Sequence, residues 1–228
     1  QKITIDGSCQ IDIIIKEFEL LDYNIIYKVF KTDKYGIPQK RERLIILGVK
    51  KNLNKDIYFP NELNTHIDLK EIIKFNMYGA IKVELEDFDM ESIPPECILE
   101  DMKNEEIDNN VHPYLRLLTK NRDFKYKGKA YPCRLSFGKR DSPVHSEIID
   151  IRKPSKTIIC TYEHQPRLFV PLKNKNGYYI RCLLPHELKQ IQGFPENYKI
   201  EGTIKEQIIQ IGNAVPPPLI KQIVECII

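Results

Sequence analysis

Residues 35–43 read YGIPQKRER and lead directly into the apolar run LIILGV at residues 44–49. The run at 44–49 is typical of a strand that is buried on both faces of a sheet. Arg41 and Arg43 lie two residues apart at its start, so their side chains are expected on one face of that sheet. Two interpretations are open for the pair: a solvated strand edge, or guanidinium donors that hold a phosphate or the carbonyl edge of a base.

The residues before this stretch predict a helix and a second strand. Apolar side chains recur at helical spacing between about residues 9 and 21, at Ile11, Ile14, Ile15, Phe18 and Leu21. Residues 24–30 form another short run rich in Ile and Val. Two strands and one helix do not make a stable α/β sheet by themselves. We therefore interpret this region as the trailing part of an α/β domain whose earlier strands are missing.

The rest of the chain changes in character. Residues 61–74 predict a loop and a short helix, and residues 83–108 predict a solvated helical or linker segment. Strand candidates separated by turn residues follow at 130–135, 157–160 and 168–170, which is typical of a small irregular β-rich domain. Helices return at 185–192 and 219–227. The expected division of the chain is 1–60, 61–180 and 181–228.

Composition narrows the class of protein. The chain has 228 residues, of which 42% are hydrophobic and 29% charged, and it has no apolar run long enough to span a membrane. The net charge of +3 conceals two opposed blocks: residues 83–108 hold eleven acids against Lys103 alone, and residues 120–140 hold eight bases against Asp123 alone. The six cysteines show no CxxC pair, so we expect no metal site, reduced thiols and a cytoplasmic location.

Two further stretches carry local signals. RCLLPHELKQIQGFP at residues 181–195 places Pro in the first turn of a predicted helix and Gly just past its end. QIGNAVPPP at residues 210–218 predicts a loop, because Gly212 and Asn213 tolerate positive φ, and this loop leads into the last helix. Taken alone, the first stretch indicates only a well-bounded helix, and the second either cradles a small ligand or simply turns.

Taken together and in this order, the three stretches resemble the C-terminal half of the DNA cytosine-5 methyltransferases. In that family a Gly-x-Pro-Gln-x-Arg-x-Arg block, a Gln-Gly-Phe-Pro block and a Gly-Asn-Ala-Val block follow one another, with a target recognition domain between the first and the second. The resemblance covers the chain from about residue 10 to its end. One departure is His186-Glu187, where the family usually has Arg-Glu.

The resemblance implies an α/β fold that combines the trailing part of a Rossmann-like methyltransferase domain with a small irregular β-rich target recognition domain. It also implies S-adenosylmethionine as the cofactor, double-stranded DNA as the partner, and a prokaryotic restriction-modification system as the setting. Arg181 and Glu187 would organise the hinge between the two domains.

The same resemblance implies roles for five residues near the reacting atoms. Arg43 would hold a cytosine that has left the duplex, and Arg41 and Gln39 would contact the base or a neighbouring phosphate. The base has to leave the duplex because a thiolate at C6 and a methyl donor at C5 need opposite faces of the ring. Asn213 and Ala214 would close one side of the cofactor pocket.

In this family context the basic block is expected to bind DNA. Its cations alternate with aromatic side chains, which suits phosphate neutralisation and base stacking, although a solvated surface is the alternative. The expected DNA-binding residues of the block are Lys125, Lys127, Lys129, Arg134, Lys139 and Arg140. Farther along, Tyr162, Gln165 and Arg167 are expected to contact DNA, since the segment around them offers side chains that read base edges.

Three motifs of the family's N-terminal half are not found ahead of Gln39: the glycine-rich cofactor loop, the Pro-Cys nucleophile and the Glu-Asn-Val motif. Cys133 follows a proline, but it lies after the first block and precedes Arg134, so it is a poor substitute. The chain also begins at Gln1 rather than Met. We therefore expect the nucleophile and most of the cofactor site on an N-terminal segment or a partner subunit. The rival interpretations are a DNA-binding recognition module without catalytic activity and a structural remnant.

The basic block gives a first prediction. For nonspecific binding to duplex DNA, the logarithm of the association constant should fall linearly with the logarithm of the salt concentration. The slope should be about −0.9 per neutralised phosphate. Replacing Lys125, Lys127 and Lys129 by alanine should flatten that slope by about two to three units. Fluorescence anisotropy over a KCl series measures the slope, with Lys16→Ala as a single-charge control. An unchanged slope in the triple variant would show that these lysines face solvent and do not contact DNA.

Overall fold

The computed structural model describes residues 4–5, 8–63, 65, 67–84, 90–103, 123–126, 129–132, 136–138 and 146–227. Its α-helices are α1 (Gln10–Leu20), α2 (Pro185–Ile191), α3 (Ile204–Asn213) and α4 (Pro217–Glu225). Its strands are β1 (Thr4–Ile5), β2 (Ser8–Cys9), β3 (Tyr23–Lys31), β4 (Gln39–Lys40), β5 (Glu42–Lys50), β6 (Ile81–Val83), β7 (Leu99–Glu100), β8 (Asp123–Tyr126), β9 (Lys129–Pro132), β10 (Ser136–Phe137), β11 (Glu147–Ile148), β12 (Ser155–Lys156), β13 (Leu168–Asn174) and β14 (Gly177–Cys182). Within these residues, no helix is both long enough and apolar enough to cross a membrane.

The helix and two strands predicted for the N-terminal region are confirmed as α1, β3 and β5. The two strands form an antiparallel sheet in which Phe30 pairs with Arg43. The face that carries Phe30 packs against Leu219 and Ile223 of α4. The expectation that β5 is buried on both faces is wrong here, because Leu44 on the other face is 49% exposed. Helix α1 buries none of its residues either.

A six-stranded mixed sheet forms the larger core. The strand order is β10-β11-β13-β14-β6, with β7 beside β13. β13 and β14 are an antiparallel hairpin, whereas β10, β11 and β13 run parallel to one another. β13 confirms the strand predicted at 168–170. The segment predicted as a strand at 157–160 is not one, and the short strand β12 lies just before it.

The acidic region is not the solvated linker that its charge predicts. Met90, Ile93 and Cys97 are buried against the six-stranded sheet, where they belong to the same hydrophobic cluster as Phe169 and Ile180. Charge is concentrated in this stretch, but the apolar residues between the acids supply core side chains. The described part of the stretch is therefore structural.

The C-terminal helices divide between two cores. Leu188 of α2 and Ile211 of α3 join the core of the six-stranded sheet, whereas α4 packs on the sheet of β3 and β5. β4 and β12 pair in parallel and connect the two parts, with Gln39 opposite Ser155. This packing crosses the expected boundary at residue 181, and the three-part division stays a prediction.

The predicted loop at residues 210–218 needs a correction, because residues up to Asn213 complete helix α3. The start of this helix is fixed by a capping box: the Thr203 amide donates to Glu206 Oε2 at 2.8 Å, and the Glu206 amide donates to Thr203 Oγ1 at 3.3 Å. A threonine followed three residues later by glutamate is a helix-start signal. The chain carries this signal at Thr203, so the helix was predictable.

Gly212 lies where the end of α3 meets the segment after β12. A Cβ built on Gly212 would stand 2.4 Å from the amide nitrogen of Cys160 and 2.5 Å from its Cα. Both atoms belong to backbone, which cannot yield as a flexible side chain can. The glycine is therefore required by the close approach of two backbone segments, and not by its own φ angle.

Gly212→Ala should lower the free energy of unfolding by about 3 kcal/mol. In an ordinary helix the same substitution would stabilise by about 1 kcal/mol, so a loss reports the backbone contact itself. Urea denaturation followed by circular dichroism measures the change. Lys205→Ala is the control, because Lys205 is exposed on the same helix. Equal stability of the Gly212 variant and the parent would contradict the close approach.

Candidate functional site

Arg41 lies at the centre of the site and is only 2% exposed. One terminal nitrogen of its guanidinium donates to the carbonyl of Ile158 at 2.9 Å, and the other donates to the carbonyl of Gly212 at 2.8 Å. The side chain expected to touch a base instead holds two backbone segments, from the middle and from the end of the chain. We therefore assign Arg41 a structural role.

Gln39 is also fully buried, and both ends of its amide are bonded inside the protein. Its Oε1 accepts from the amide of Ile158 at 3.0 Å, and its Nε2 donates to Oε1 of Gln192. Gln192 in turn donates from Nε2 to the carbonyl of Ala214 at 2.6 Å. The expected contact of Gln39 with a base is thus replaced by contacts with the other two sequence blocks.

Arg43 differs from Arg41 in its surroundings. It is half-buried and lines an open pocket of about 640 Å³. Its Nη1 donates to the carbonyl of Glu42 at 2.7 Å, and among the described residues no carboxylate lies within ion-pair distance. Partial burial lowers the pKa of the guanidinium, which nevertheless stays charged at neutral pH. Arg43 therefore keeps donors available for a ligand, and its contact with a base stays a prediction.

The pocket around Arg43 carries an excess of positive charge. Five cations and two acids line it together with Thr157, whose hydroxyl donates to the carbonyl of Lys40 at 2.8 Å. The lining residues are Lys31, Asp33, Lys34, Lys40, Arg41, Glu42, Arg43 and Thr157. The sequence does not predict any of the three lysines, Lys31, Lys34 and Lys40, as site residues. Their signal in the sequence is weak, because single lysines in a turn are common on any surface.

Asn213 and Ala214 lie where α3 ends. The side chain of Asn213 is exposed, and Ala214 is half-buried with its amide donating to the carbonyl of Gln210 at 3.0 Å. The carbonyls on both sides of Asn213 are held, since Gly212 accepts from Arg41 and Ala214 accepts from Gln192. The exposed amide of Asn213 is thus presented by a fixed backbone.

Arg181 and Glu187 form a fully buried ion pair. Both terminal nitrogens of Arg181 donate to the carboxylate, at 2.8 and 2.7 Å. Arg181 also donates to the carbonyl of Lys74 at 2.9 Å, and the amide of Leu184 donates to Glu187 at 2.8 Å. These bonds join β14 to the start of α2 and to the segment before β6. This pair has a structural role.

The three residues expected to contact DNA around position 165 differ in their exposure to solvent. Tyr162 is 2% exposed, and its hydroxyl donates to the carbonyl of Leu168 at 2.5 Å and accepts from the amide of Leu183 at 2.9 Å. Burial raises the pKa of Tyr162 well above its usual value. We therefore assign Tyr162 to the core. Gln165 is exposed and Arg167 is half-buried, so both stay candidates for DNA contact.

The basic block is described only in part. Lys125 and Lys129 belong to the antiparallel hairpin of β8 and β9, in which Lys125 pairs with Ala130. β9 covers the first part of the strand predicted at 130–135, and residues 133–135 lie outside the described residues. The other four cations of the block, Lys127, Arg134, Lys139 and Arg140, lie outside the described residues, as does Cys133.

Solved structures that share this fold are methyltransferases. A mutant of Spodoptera frugiperda DNMT2 superposes with a TM-score of 0.58 at 13% identity, covering 97% of this chain and 63% of that one. The Entamoeba histolytica methyltransferase EhMeth superposes with a TM-score of 0.53 at 17% identity, covering 95% of this chain and 57% of that one. At such identities the likeness establishes the fold alone: that of a methyltransferase.

The family follows from the sequence comparison. The model of the C-5 cytosine-specific DNA methylases matches residues 5–228, and this chain belongs to that family. The Type II methyltransferase M.PspPI of Psychrobacter is 31% identical over 229 residues, covering 98% of this chain and 50% of that protein. M.MthTI of Methanothermobacter thermautotrophicus is 24% identical over 219 residues, covering 92% and 58%. The chain thus spans about half the length of these curated relatives.

Two described cysteines are held as unreactive thiols. Burial and a hydrogen bond from Sγ to Asp150 at 3.3 Å raise the pKa of Cys97 to about 11, and burial raises the pKa of Cys182 to about 12. A nucleophilic cysteine needs a thiolate near neutral pH. Neither of these thiols meets that need.

We therefore expect iodoacetamide at pH 8 to leave Cys97 and Cys182 unmodified in the folded protein, because less than about one thiol in a hundred is ionised there. In urea both should react readily, so the unfolded chain is the matched control. Peptide mass spectrometry measures the extent of modification. Rapid labelling of either residue in the folded protein would identify it as an activated thiol.

Proposed function

We propose that this chain is the C-terminal part of an S-adenosylmethionine-dependent DNA cytosine-5 methyltransferase of a cytoplasmic prokaryotic restriction-modification system. One observation carries the proposal: the three sequence blocks converge in space. Arg41 bonds to Gly212 of the third block, and Gln39 bonds to Gln192 of the second. This convergence leaves Arg43 at a basic pocket and Asn213 exposed at the end of a helix.

In this proposal the pocket around Arg43 receives the flipped cytosine. A guanidinium offers a planar fork of donors that suits the carbonyl edge of a base or a phosphate oxygen. The exposed Lys34 and Lys40 lie in the same pocket and would neutralise the flanking phosphates. Arg43 would thus hold the base after it leaves the stack, which orients the ring for attack on one face and methyl transfer on the other.

Gln39 and Arg41 would support this site rather than touch the base. Arg41 donates to the carbonyls of Ile158 and Gly212, Gln39 accepts from the amide of Ile158, and both side chains are buried. A buried guanidinium that gave up these bonds to reach a ligand would leave two carbonyls unpaired, which is costly. We therefore propose that they keep the strand before Arg43 and the end of α3 in register.

The predicted cofactor wall, formed by Asn213 and Ala214, fits the proposal. Asn213 presents both an acceptor and donors from a backbone that is bonded on either side. When bound, S-adenosylmethionine supplies the methyl group. The part played by this chain would be to orient the cofactor with the amide of Asn213, while other cofactor contacts come from an N-terminal segment.

An exposed apolar face supports such a segment as a partner. Phe18 of α1 is 41% exposed, and Tyr27 and Val29 of β3 and Leu44 of β5 are about half exposed. Contiguous apolar side chains of this kind usually mark an interface. In an α/β domain, further strands and helices would cover this face. We propose that the N-terminal catalytic segment packs here.

Arg43→Ala tests the proposed role at a single side chain. In the enzyme assembled from this chain and an N-terminal segment of the family, turnover should fall at least tenfold, about 1.4 kcal/mol of barrier, while duplex affinity changes less. Transfer of a tritiated methyl group from S-adenosylmethionine to duplex DNA measures turnover, and the chain alone should transfer none. 2-Aminopurine at the target position reports whether the base still leaves the stack.

Two variants control this experiment. Arg43→Lys keeps the charge but not the planar fork, so it should restore duplex affinity more fully than turnover. Lys205→Ala removes an exposed charge at the start of α3 and should change neither. Turnover of Arg43→Ala within about twofold of the parent, less than about 0.5 kcal/mol, would make Arg43 structural. DNA binding without any methyl transfer would favour a recognition module.

A further inference from the structure

A directional chain of hydrogen bonds runs through the site. It begins at the amide of Ile158, which donates to Gln39 Oε1 at 3.0 Å. It continues from Gln39 Nε2 to Gln192 Oε1, and it ends where Gln192 Nε2 donates to the carbonyl of Ala214 at 2.6 Å. A backbone donor at one end and a backbone acceptor at the other fix which way both side-chain amides point. We call these two side chains the amide relay.

The amide relay and Arg41 hold the same two segments. Both polar backbone groups of Ile158 are used, the N–H by Gln39 and the carbonyl by Arg41. The carbonyls before and after Asn213 are used as well, by Arg41 and by Gln192. The segment next to the Arg43 pocket and the segment that presents Asn213 are therefore tied to each other through buried polar groups.

We propose that Gln39 and Gln192 are positioning residues, which set the orientation of Asn213 for the cofactor through the carbonyl of Ala214. The proposal rests on the proposed function, since it takes Asn213 to face S-adenosylmethionine. Thr157 lines the Arg43 pocket and immediately precedes Ile158. The amide relay thus makes the placement of the cofactor wall depend on the docking of the segment beside the base pocket.

The direction of the bonds makes the proposal testable with nearly isosteric variants. A carboxylate only accepts hydrogen bonds. In Gln39→Glu the Ile158 amide keeps its acceptor, but Gln192 must turn its Nε2 toward residue 39, which brings Gln192 Oε1 against the carbonyl of Ala214. In Gln192→Glu a carboxylate oxygen faces that carbonyl directly. A protonated carboxylic acid restores one donor in either variant.

Each variant should therefore lose the bond to Ala214 at high pH and regain it as the pH falls. Burial raises the pKa of a carboxylic acid, and a nearby cation lowers it. Arg41 is the charged group bonded to the same segments, and it stays protonated throughout. Gln210→Glu is the matched control, because Gln210 lies on α3, the helix that ends at Asn213, is exposed, and donates from its side chain to the carbonyl of Glu201 rather than to the amide relay.

Two readouts are needed between pH 5.5 and pH 8. The first is hydrogen exchange of the amides of residues 212–215, compared with the parent at each pH. At pH 8 both relay variants should exchange at least about tenfold faster than Gln210→Glu, and at pH 5.5 within about threefold of it. The second is calorimetric affinity for S-adenosylmethionine in the assembled enzyme, which should weaken in parallel. Gln192→Met removes the relay without adding a charge. It should make exchange faster and cofactor affinity weaker at every pH.

The outcomes separate this proposal from the proposed function. Exchange in all three relay variants equal to that of Gln210→Glu would show that the amide relay does not hold the segment, and the inference would be overturned. Faster exchange with unchanged cofactor affinity would show that Asn213 does not face the cofactor, which also overturns the positioning role. Absence of cofactor binding by the parent enzyme would instead count against the proposed function. Should the glutamate variants fail to fold, Gln192→Met decides alone.

Discussion

The site depends on the two hydrogen bonds that the guanidinium of Arg41 donates to backbone carbonyls. It is buried and bonds at once to the carbonyls of Ile158 and Gly212, which lie 117 and 171 residues farther along the chain. Removing it would leave two buried carbonyls without these partners, and each such loss costs about 1–3 kcal/mol. The close backbone contact between Gly212 and Cys160 lies beside this bond. Arg43 follows Arg41 by two residues, and Asn213 immediately follows the carbonyl of Gly212 that Arg41 holds.

Local patterns predicted the elements that depend on local physics. The apolar spacing of α1, the runs in β3 and β5, and the proline and glycine that bound α2 all led to confirmed elements. Helix α3 is not among the predicted elements even though Thr203 and Glu206 form a capping box, because Gly212 near its end favours a turn. Glycine is required at this position of the helix because the adjoining backbone leaves no room for a side chain.

Side-chain roles in the site were harder to predict, because partners distant in sequence decide them. Arg41 and Arg43 are two residues apart and both line the pocket, yet Arg41 is buried with its terminal nitrogens bonded to two carbonyls, whereas Arg43 is only half-buried. Gln192 belongs to the Gln-Gly-Phe-Pro block, but nothing in that block indicates that it meets Gln39 across 153 residues. Tyr162 sits among polar residues suited to DNA contact, but its ring lies in the core. Only the fold separates these cases.

The central claim is that this chain belongs to an enzyme that methylates C5 of cytosine, and the chemical identity of its product tests the claim most directly. DNA from cells that express the chain together with an N-terminal catalytic segment can be digested to nucleosides and separated by liquid chromatography with mass spectrometry. The account predicts 5-methyldeoxycytidine that is lost when either part is omitted. A product methylated on an exocyclic nitrogen of cytosine or adenine would contradict it.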